Sequence, residues 1–386
     1  MPLLSVVIPT RNRLEYLRDA LKSALDQACP EIEVIVADNA TDDGTREYLA
    51  SLGDAIKVTR SEEPLSMTDN WYRALELVTG EWITVIGDDD CLMRDYVGSA
   101  KRAIASSPET ELFRWDCPIY RWPDSRNESE RNHLQFALSS HHQRVDSATT
   151  LRNMFERIHN VMSPPGLYHC LSRTSLIKKV RDKYGELRLG IVPDFGSGIL
   201  FLSVTDHYVV LKHPLTVMGF GRKSTGMSFK NGDDDKATSR AEFYKLSRLA
   251  DLKATYPIFD VEDVNVYQWR LLLSWRDYLG NHGLKFEFNH DKMFLYCVSR
   301  LNRTPENERA EVARKMIEFG VSRGMARDHI EGRVNTALSQ QHLLRPHHLI
   351  EKNGELSTLR LGCDLTHTSI RTATDAAGLI HGFLTR

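Results

Sequence analysis

The feature that most constrains this chain is a short apolar run that ends at three consecutive carboxylates. Residues 82–86 are mostly β-branched or aromatic, and Gly87 and then Asp88-Asp89-Asp90 follow at once. Such a run predicts a buried strand. Open α/β sheets bind ligands at the carboxyl ends of their strands, and adjacent carboxylates repel one another unless a cation is near. The stretch therefore predicts either a divalent-metal site with oxygen ligands or a strand that enters a solvated acidic turn.

Composition narrows the class of protein. The chain has 386 residues, of which 41% are hydrophobic and 26% charged, as is ordinary for a globular protein with two domains. A net charge of -2 gives no reason to expect a nucleic-acid partner. The 6 cysteines show no CxxC spacing, which indicates a reducing compartment and neither a zinc site nor a disulfide framework. Residues 3–8 are too short an apolar run for a signal peptide or a membrane span, so we expect a cytoplasmic protein.

Strand and helix patterns alternate along residues 3–120 with short connections. This alternation predicts an α/β fold with a doubly wound, mostly parallel sheet. The expected strands are 3–8, 33–37, 55–60, 82–86 and one within 112–120. The expected helices are 14–28, 46–52, 67–79 and 95–105.

Residues 121–147 break this alternation, because they are polar and poorly periodic. They predict an excursion over the surface that serves as a lid or an acceptor loop. The pair His141-His142 within it is expected in solvent rather than on a metal, because no carboxylate or thiol stands at ligand spacing. The expected elements beyond it are a strand over 167–172, an apolar helix that ends near 202, and strands over 208–211 and 216–220.

The clearest domain boundary falls at Phe229–Asp235, which contains Asn-Gly and a second acid triplet. Because this triplet follows no buried strand and precedes an amphipathic helix, we interpret it as linker and helix-start charge. The sequence thus predicts a sheet domain over 1–232 and a mostly helical domain over 233–386 that binds acceptor or forms an oligomer. Its expected helices are 239–253, 261–279, 292–301, 306–319 and 369–384. An apolar stripe in the last helix indicates core packing rather than a membrane anchor, because few lysines flank it.

Two loops bear on phosphate binding, and both depart from the glycine motifs. The first strand is followed by Pro9-Thr10-Arg11-Asn12-Arg13, which has no glycine and therefore argues against a dinucleotide-binding Rossmann domain. Residues 219–226 contain glycines around Arg222 and Lys223, at a spacing that matches neither phosphate motif. This cationic pair faces either a pyrophosphate or water, and the residues alone leave both open.

Four segments occur in order along the first 90 residues. They are Pro-Thr-Arg-Asn-Arg at 9–13, Val-Ala-Asp-Asn-Ala-Thr-Asp-Asp-Gly-Thr at 36–45, Asn-Trp-Tyr-Arg-Ala-Leu at 70–75, and Gly-Glu-Trp-Ile at 80–83 with the acids at 88–90. Together they resemble the family 2 glycosyltransferases of the GT-A fold, over about residues 1–230. The resemblance implies a GT-A sheet domain, with the helical domain outside it. It also implies an inverting transfer of a sugar from a nucleotide-sugar, usually a UDP-sugar, with Mn²⁺ or Mg²⁺.

The resemblance further implies roles for single residues. Pro9 and Thr10 would lie along the base and ribose, and Asp38 would accept a hydrogen bond from the base. Asp88 would contact the ribose and Asp89 would ligate the metal, with Asp90 as a third candidate. The remaining nucleotide-binding candidates are Asn12, Asn70, Arg222 and Lys223. Many family members have Asp where this chain has Gly87, so the sequence leaves open which two acids form the Asp-x-Asp pair.

An inverting transfer also needs a general base that deprotonates the incoming hydroxyl. In the family this acid usually follows the acceptor-side strand, just before a helix. Pro193-Asp194-Phe195-Gly196 occupies that place, which makes Asp194 the candidate base. The same position is also compatible with an ordinary helix N-cap.

The sequence therefore predicts a metal-dependent inverting glycosyltransferase of the hexosyltransferase type in bacterial surface polysaccharide or glycoconjugate synthesis. Its expected partners are a nucleotide-sugar donor, with a UDP-sugar favoured, and a saccharide or lipid-linked saccharide acceptor. Peripheral contact with the inner face of the membrane and self-association stay open. One alternative is a nucleotidyltransferase that forms sugar nucleotides, whose first loop is usually glycine-rich and basic. The other is a non-catalytic module that binds nucleotide-sugars.

Overall fold

The computed structural model divides the chain into two compact units. The first comprises residues 1–150, 163–223 and 345–386, and the second comprises residues 151–162 and 224–344. The structure describes residues 2–27, 29–125, 128–139, 141–159, 161, 164–224, 242–259, 261, 263–304, 306–339, 349–353 and 356–385. The expected boundary Phe229–Asp235, with its acid triplet, lies outside these described residues.

The main sheet of the first unit is built around strands with apolar, mostly β-branched sequences. Its central strands β1 (Leu4–Thr10), β2 (Ile32–Asn39) and β4 (Trp82–Val85) are buried along most of their length. β3 (Lys57–Ser61), which contains two charged residues, is more exposed and lies at the edge. The other strands of this sheet are β6 (Leu112–Trp115), β9 (Gln143–Asp146), β10 (Cys170–Arg173) and β11 (His207–Leu211).

The strand order in this sheet is β3-β2-β1-β4-β10-β6-β11-β9. β1 pairs in parallel with β2 and β4, and β2 pairs in parallel with β3, so the expected mostly parallel α/β sheet is confirmed. The register places Thr10 opposite Asp38, and therefore the carboxyl ends of these strands meet at one edge. β10 enters antiparallel between β4 and β6.

Helices connect the strands, as the alternating pattern predicts. They are α1 (Leu14–Leu25), α2 (Thr45–Ser51), α3 (Met67–Leu75) and α4 (Tyr96–Ser106), followed by α5 (Ser147–Phe155), α6 (Ser175–Tyr184) and α7 (Pro193–Leu202). α3 begins at a side-chain cap, because Ser66 accepts a hydrogen bond from the Asp69 N–H at 3.1 Å. α7 is buried along nearly its whole length, which explains its almost uniformly apolar sequence.

A second sheet in the first unit has the order β13-β14-β8-β7-β12-β5. Its strands are β5 (Cys91–Leu92), β7 (Ile119–Arg121), β8 (His133–Ser139), β12 (Thr216–Phe220), β13 (Leu349–Asn353) and β14 (Leu356–Asp364). β5 follows the acid triplet directly and pairs with β12. The three acids therefore lie where the chain leaves β4 of one sheet and enters β5 of the other.

Two expectations about this unit are wrong. The expected surface excursion over 121–147 contains β8 and β9, and the segment 349–364, expected in a helical domain, forms β13 and β14. β8 and β14 pair along their length although they are far apart in the chain, and such pairing leaves no local periodic signal. The structure therefore assigns residues 345–386 to the first unit and not to a separate domain over 233–386.

The C-terminal helix α13 (Ala373–Leu384) also belongs to the first unit. A capping box between Thr372 and Asp375 starts it. Its apolar stripe, including Ile380, is buried in a core cluster with Cys91 of β5 and Val217 of β12, which confirms the expectation of core packing.

The second unit is helical where it is described. Its helices beyond α5 are α8 (Leu249–Thr255), α9 (Val264–Asn281), α10 (His290–Ser299), α11 (Glu306–Ser322) and α12 (Arg327–Ser339). The expectation of helices over 261–279, 292–301 and 306–319 is confirmed, whereas α12 was not expected. Over the described ranges, no helix combines the length and hydropathy needed to cross a membrane.

Candidate active site

Asp88 lies just beyond β4 and is held by the turn that follows β1. Thr10 Oγ1 donates to Asp88 Oδ2 at 2.8 Å, and Arg13 Nη1 donates to Oδ1 at 3.0 Å. Burial alone would lower the pKa of Arg13, but the neighbouring carboxylates of Asp88 and Asp89 raise it above its usual value. The structure thus brings together Thr10 and Asp88, two predicted nucleotide ligands. Arg13, which the sequence motif does not single out, neutralises Asp88.

Asp89 is enclosed by the end of β12. Its Oδ2 lies 3.4 Å from the Gly221 N–H, and its carbonyl accepts from Trp122 Nε1 at 3.0 Å. A Cβ atom on Gly219 would lie 1.7 Å from the Asp89 carbonyl oxygen, so only glycine allows this approach of the two backbones. Gly219 and Gly221 of the predicted basic loop therefore bring its backbone close to the acid triplet.

Asp90 is fully buried and surrounded by donors. Its Oδ1 accepts from the Gly219 N–H at 2.7 Å, and its Oδ2 accepts from the Tyr168 hydroxyl at 2.7 Å and lies 3.0 Å from His169 Nε2. Burial would raise the pKa of Asp90, but the adjacent His169 lowers it. Donors from the protein approach both oxygens of Asp90, and Asp90 thereby holds this turn in place. Its metal role stays a prediction.

His169 balances the charge of Asp90. Burial would lower its pKa, but the Cys117 and Asp90 side chains beside it raise the pKa to about 10. Its Nδ1 lies 2.7 Å from Thr216 Oγ1 at the start of β12. Sequence patterns miss Tyr168 and His169 as neighbours of the acid triplet, because the two residues precede β10 in irregular backbone, and His169 has φ 48°.

Gly87 lies close to the side chains of the acid triplet and Tyr168. A Cβ atom there would lie 2.9 Å from Asp90 Oδ2, 3.1 Å from Asp89 Oδ1 and 3.2 Å from the Tyr168 hydroxyl. A longer acidic side chain would have to displace these oxygens. Gly87 therefore leaves room for the oxygens of Asp89, Asp90 and Tyr168, and which two acids form the Asp-x-Asp pair stays a prediction.

Asp38 lies at the end of β2 and is 1% exposed. It accepts from the Thr41 N–H at 3.1 Å and forms an ion pair with Arg60, which stands opposite it on β3. The sequence identifies the strand-end carboxylate but gives no sign of the arginine. The role of Asp38 toward a nucleotide base stays a prediction.

Asn12 and Asn70 organise the loops around these strand ends. Asn12 has a left-handed backbone with φ 53°, and its Oδ1 accepts from the Asp42 N–H at 2.9 Å. Asn70 donates to the Ala37 carbonyl at 3.0 Å, while its buried Oδ1 has no hydrogen-bond partner among the described residues. Pro9 lies partly exposed near the end of β1. The geometry thus gives both asparagines a loop-ordering role beside their predicted one.

Arg222 and Lys223 follow β12 and are exposed. The Arg222 N–H lies 3.1 Å from the Tyr16 hydroxyl, which in turn donates to Asp124. Lys223 Nζ donates to the Asn12 carbonyl at 3.2 Å. The basic loop is therefore held against the turn after β1, on the side of the site where Asn12 and Arg13 lie.

Asp194 is the second residue of α7, after Pro193. The N-cap is Val192, whose side chain cannot cap, so the alternative of an ordinary N-cap at Asp194 is wrong. Burial raises the pKa of Asp194, although the Phe195 N–H lowers it in part. Ser197 Oγ donates to the Asp194 carbonyl at 2.9 Å and accepts from the Leu167 N–H at 3.1 Å, which ties the start of α7 to the segment that carries Tyr168.

Tyr168 relates the two groups of acids. Burial raises its pKa, and the charges of Asp90, Asp89 and Asp194 raise it further, so all three acids lie in its electrostatic surroundings. Its ring is partly exposed and lies 6.3 Å from that of Trp71. The site therefore combines the triplet beside β4 with a carboxylate whose pKa is raised toward the range of a general base.

The donor set is compatible with a divalent cation held jointly with a phosphate ligand. Within the described part of the chain, no group of three or more His, Cys, Asp or Glu side chains is arranged around a common metal position. Mg²⁺ in nucleotide enzymes is commonly held by one or two carboxylates plus substrate phosphates rather than by an all-protein cage. Asp89, with Asp88 beside it, supplies such carboxylates. The predicted solvent-facing pair His141-His142 is not among these carboxylates, and His142 Nδ1 accepts from the Lys212 N–H at 3.1 Å.

Comparison with known families assigns the part of the chain that carries this site. Residues 5–169 match the family model described as "Glycosyl transferase family 2". The chain contains a family 2 glycosyltransferase domain. The match includes β1, β2 and the acid triplet of this glycosyltransferase domain and ends at His169, before Asp194.

Individual relatives match the chain over shorter stretches. The chain is 34% identical over 97 residues to a GalNAc(5)-diNAcBac-PP-undecaprenol beta-1,3-glucosyltransferase of Campylobacter jejuni, covering 24% of this chain and 31% of that protein. It is 33% identical over 116 residues to an abequosyltransferase of Salmonella typhimurium, covering 28% and 35%. The matched stretch therefore spans about a third of the length of these relatives.

The chain as a whole also has a distant structural match. The crystal structure of S. aureus TarS 1-349 in complex with UDP-GlcNAc aligns over 92% of this chain and 96% of that chain. The TM-score is 0.47 and the sequence identity 16%. A likeness at this level supports no statement about the site.

Proposed function

We propose that this protein is a metal-dependent inverting glycosyltransferase that moves a sugar from a nucleotide-sugar, a UDP-sugar first, to a hydroxyl of a saccharide acceptor. The observation that carries the proposal is the arrangement around Tyr168. The charges of the buried acids beside β4 and of Asp194 at the start of α7 both act on Tyr168, and the pKa of Asp194 is raised. A donor site and a general base next to each other are what a single displacement at the anomeric carbon requires.

The nucleotide would lie across the carboxyl ends of β1, β2 and β4. Thr10, Asp88 and Asp38 stand at these ends, and the ordered turn at Asn12 borders them. Arg222 and Lys223 are near enough to this turn to meet a pyrophosphate. Asp89, with Asp88, would hold Mn²⁺ or Mg²⁺, which when bound would offset the charge of the diphosphate leaving group.

Asp194 would act on the acceptor. The acceptor oxygen forms a bond to the anomeric carbon while the bond from that carbon to the phosphate oxygen breaks, and the hydroxyl proton passes to an Asp194 carboxylate oxygen. The nucleoside diphosphate leaves with the bonding electrons. A partly buried carboxylate with a raised pKa is a stronger base than a solvated one, so burial at the start of α7 suits this role.

The biological setting follows from the relatives rather than from the site. One is named for transfer to an undecaprenol-linked saccharide and another for transfer of abequose. They support a role in surface polysaccharide or glycoconjugate assembly with a lipid-linked saccharide as acceptor. Peripheral contact with a membrane would follow from such an acceptor.

The proposal is tested by the product released from the donor. The protein is incubated with Mn²⁺, a panel of UDP-, GDP-, CDP- and dTDP-sugars and a panel of saccharide acceptors, and the free nucleotide is measured. We expect release of the nucleoside diphosphate that stops with EDTA and with Asp194→Asn. Pyrophosphate formed from UTP and a sugar 1-phosphate would instead identify a nucleotidyltransferase, and binding without turnover would identify a binding module.

A further inference from the structure

The Tyr168 hydroxyl is the structural feature that the proposed reaction leaves unused. It lies 2.7 Å from Asp90 Oδ2, and a Cβ atom on Gly87 would lie 3.2 Å from it. Tyr168 is partly exposed, unlike the fully buried Asp90 and the almost fully buried His169. Tyr168 therefore keeps some accessible surface while Asp90 fixes its hydroxyl.

The donor and acceptor capacities around Tyr168 fix the direction of this hydrogen bond. Asp90 Oδ1 accepts from the Gly219 N–H. Asp90 Oδ2 accepts from the Gly87 N–H and lies beside His169 Nε2. A carboxylate in such surroundings accepts and has no hydrogen to give. The phenol proton is thus committed to Asp90, and the phenolic oxygen keeps only its lone pairs for any other partner.

The position of the Tyr168 hydroxyl indicates which part of the substrate would donate a hydrogen bond to it. It lies beside Gly87, which also borders Asp89 Oδ1, and therefore on the side of the acids that would hold the diphosphate. Leu167, the residue before Tyr168, is tied through Ser197 to the start of α7, where Asp194 lies. In the proposed reaction the group between the diphosphate and the base is the transferred sugar.

We propose that Tyr168 is a specificity-determining residue whose phenolic oxygen accepts a hydrogen bond from a hydroxyl of the transferred sugar. The inference rests on the proposed function and adds a recognition element to it. Asp90 and His169 act as positioning residues, because they orient Tyr168 without touching the ligand. A donor sugar that lacks the donating group, or carries an acceptor in its place, would leave the phenolic oxygen unpaired and bind less well.

The test compares binding of the nucleotide alone with binding of the whole donor. Calorimetric titrations with Mn²⁺ measure UDP, the UDP-hexose from which the wild-type protein releases UDP fastest, and the analogues of that hexose with fluorine at one hydroxyl. Fluorine keeps the size and the acceptor character but cannot donate. We expect one fluoro analogue to bind the wild type about 5- to 10-fold more weakly than its parent, as for one lost hydrogen bond.

Tyr168→Phe provides the second arm. Its UDP affinity should equal that of the wild type, its affinity for the UDP-hexose should fall about 5- to 10-fold, and the penalty of the fluoro analogue should disappear. Tyr184→Phe is the matched control, because the hydroxyl of Tyr184, the last residue of α6, donates to Ser203 Oγ at 2.8 Å. This substitution should leave both affinities unchanged. A structural role alone would change the melting temperature without changing the ratio of the two affinities.

The outcomes separate the two proposals. If the wild-type protein releases no nucleotide from any donor, the proposed function fails. If it releases UDP and every fluoro analogue binds as tightly as the parent, the role of Tyr168 is overturned while the proposed function stands. Because the analogue series is measured on the wild type, this result does not depend on whether Tyr168→Phe folds.

Discussion

His169 Nε2 lies 3.0 Å from Asp90 Oδ2, and both side chains are almost completely buried. This ion pair holds Asp90, the third acid of the triplet, in the interior of the protein. Through Asp90 it holds the Gly219 N–H and the Tyr168 hydroxyl, and through Thr216 it reaches the start of β12. The three acids of the triplet therefore differ in their surroundings, and Asp90 is the one held by His169.

Replacing His169 should cost stability in a pH-dependent way. His169→Gln leaves Asp90 buried without a cation, which typically costs about 3–5 kcal/mol. The folded pKa of His169 is about 10, above the usual 6.5, so its contribution is complete below about pH 6.5 and is lost as the pH rises toward 10. The pKa of Asp90 is lowered, so the contribution of Asp90 is lost at the opposite, acidic end.

The measurement is the free energy of unfolding of wild type and His169→Gln from urea titrations between pH 5 and pH 10. The difference between the two proteins should shrink as the pH rises through this range. His381→Gln in α13, where the histidine is not part of a buried ion pair, serves as a control. A difference that stays constant with pH would contradict the charged state assigned to His169.

Removing the charge of Asp89 should weaken metal-dependent binding of the nucleotide. Asp89→Asn keeps the shape of the side chain but takes a charged oxygen ligand from a cation that prefers carboxylates. Calorimetry with UDP should show that the gain in affinity caused by Mn²⁺ is mostly lost. Asp54→Asn, on the exposed turn before β3, should bind as the wild type does. Equal behaviour of the two variants would remove Asp89 from the site.

Asp194→Asn should separate catalysis from donor binding. A positioned general base typically contributes about 10²- to 10⁴-fold, so kcat should fall by that order while UDP affinity is almost unchanged. The change should have little effect on melting temperature, because Val192 and not Asp194 is the N-cap of α7. Asp182→Asn, exposed on α6, is the control. Near-normal turnover in Asp194→Asn would end its candidacy.

The same residue predicts the acidic side of the pH profile. Asp194 must be ionised to accept a proton, and burial raises its pKa above the usual 3.8. Turnover should therefore fall as the pH drops through this raised pKa, at a higher pH than for a solvated aspartate. A rate that stays constant down to the usual pKa of an aspartate would argue against Asp194 as the base.

Local sequence patterns predicted the strand ends and the acidic turn of the site, because these depend only on neighbouring residues. The apolar run into Asp88 forms β4 and its acid turn, and the strand-end position of Asp38 follows from the same kind of signal. The partners of these acids come from other elements. Arg60 meets Asp38 through the register of β2 and β3, and the sequence of either strand alone does not fix that register.

The strands and site residues that the sequence did not predict also depend on contacts between distant parts of the chain. β8 and β14 gain their stability from each other across a long stretch of chain, so neither has a clear signal by itself. Tyr168 and His169 lie in irregular backbone before β10, where no period distinguishes an inward side chain from an outward one. Only the assembled sheet shows that this pair stands behind the acid triplet.

The C-terminal helix should be required for the stability of the glycosyltransferase domain. Ile380 of α13 is 0% exposed and packs in one core cluster with Cys91 of β5 and Val217 of β12. β5 follows the acid triplet in the chain, and the end of β12 contacts the triplet. Ile380→Ala removes buried methyl groups and leaves a cavity, which typically costs about 2–5 kcal/mol. The free energy of unfolding from urea titration should fall by this amount, and UDP affinity measured at low temperature should fall with it. Phe383→Ala on the same helix is the control, because that ring is 52% exposed and its loss should cost much less. If Ile380→Ala were as stable as the wild type, the packing of α13 would not be required for the stability of this domain.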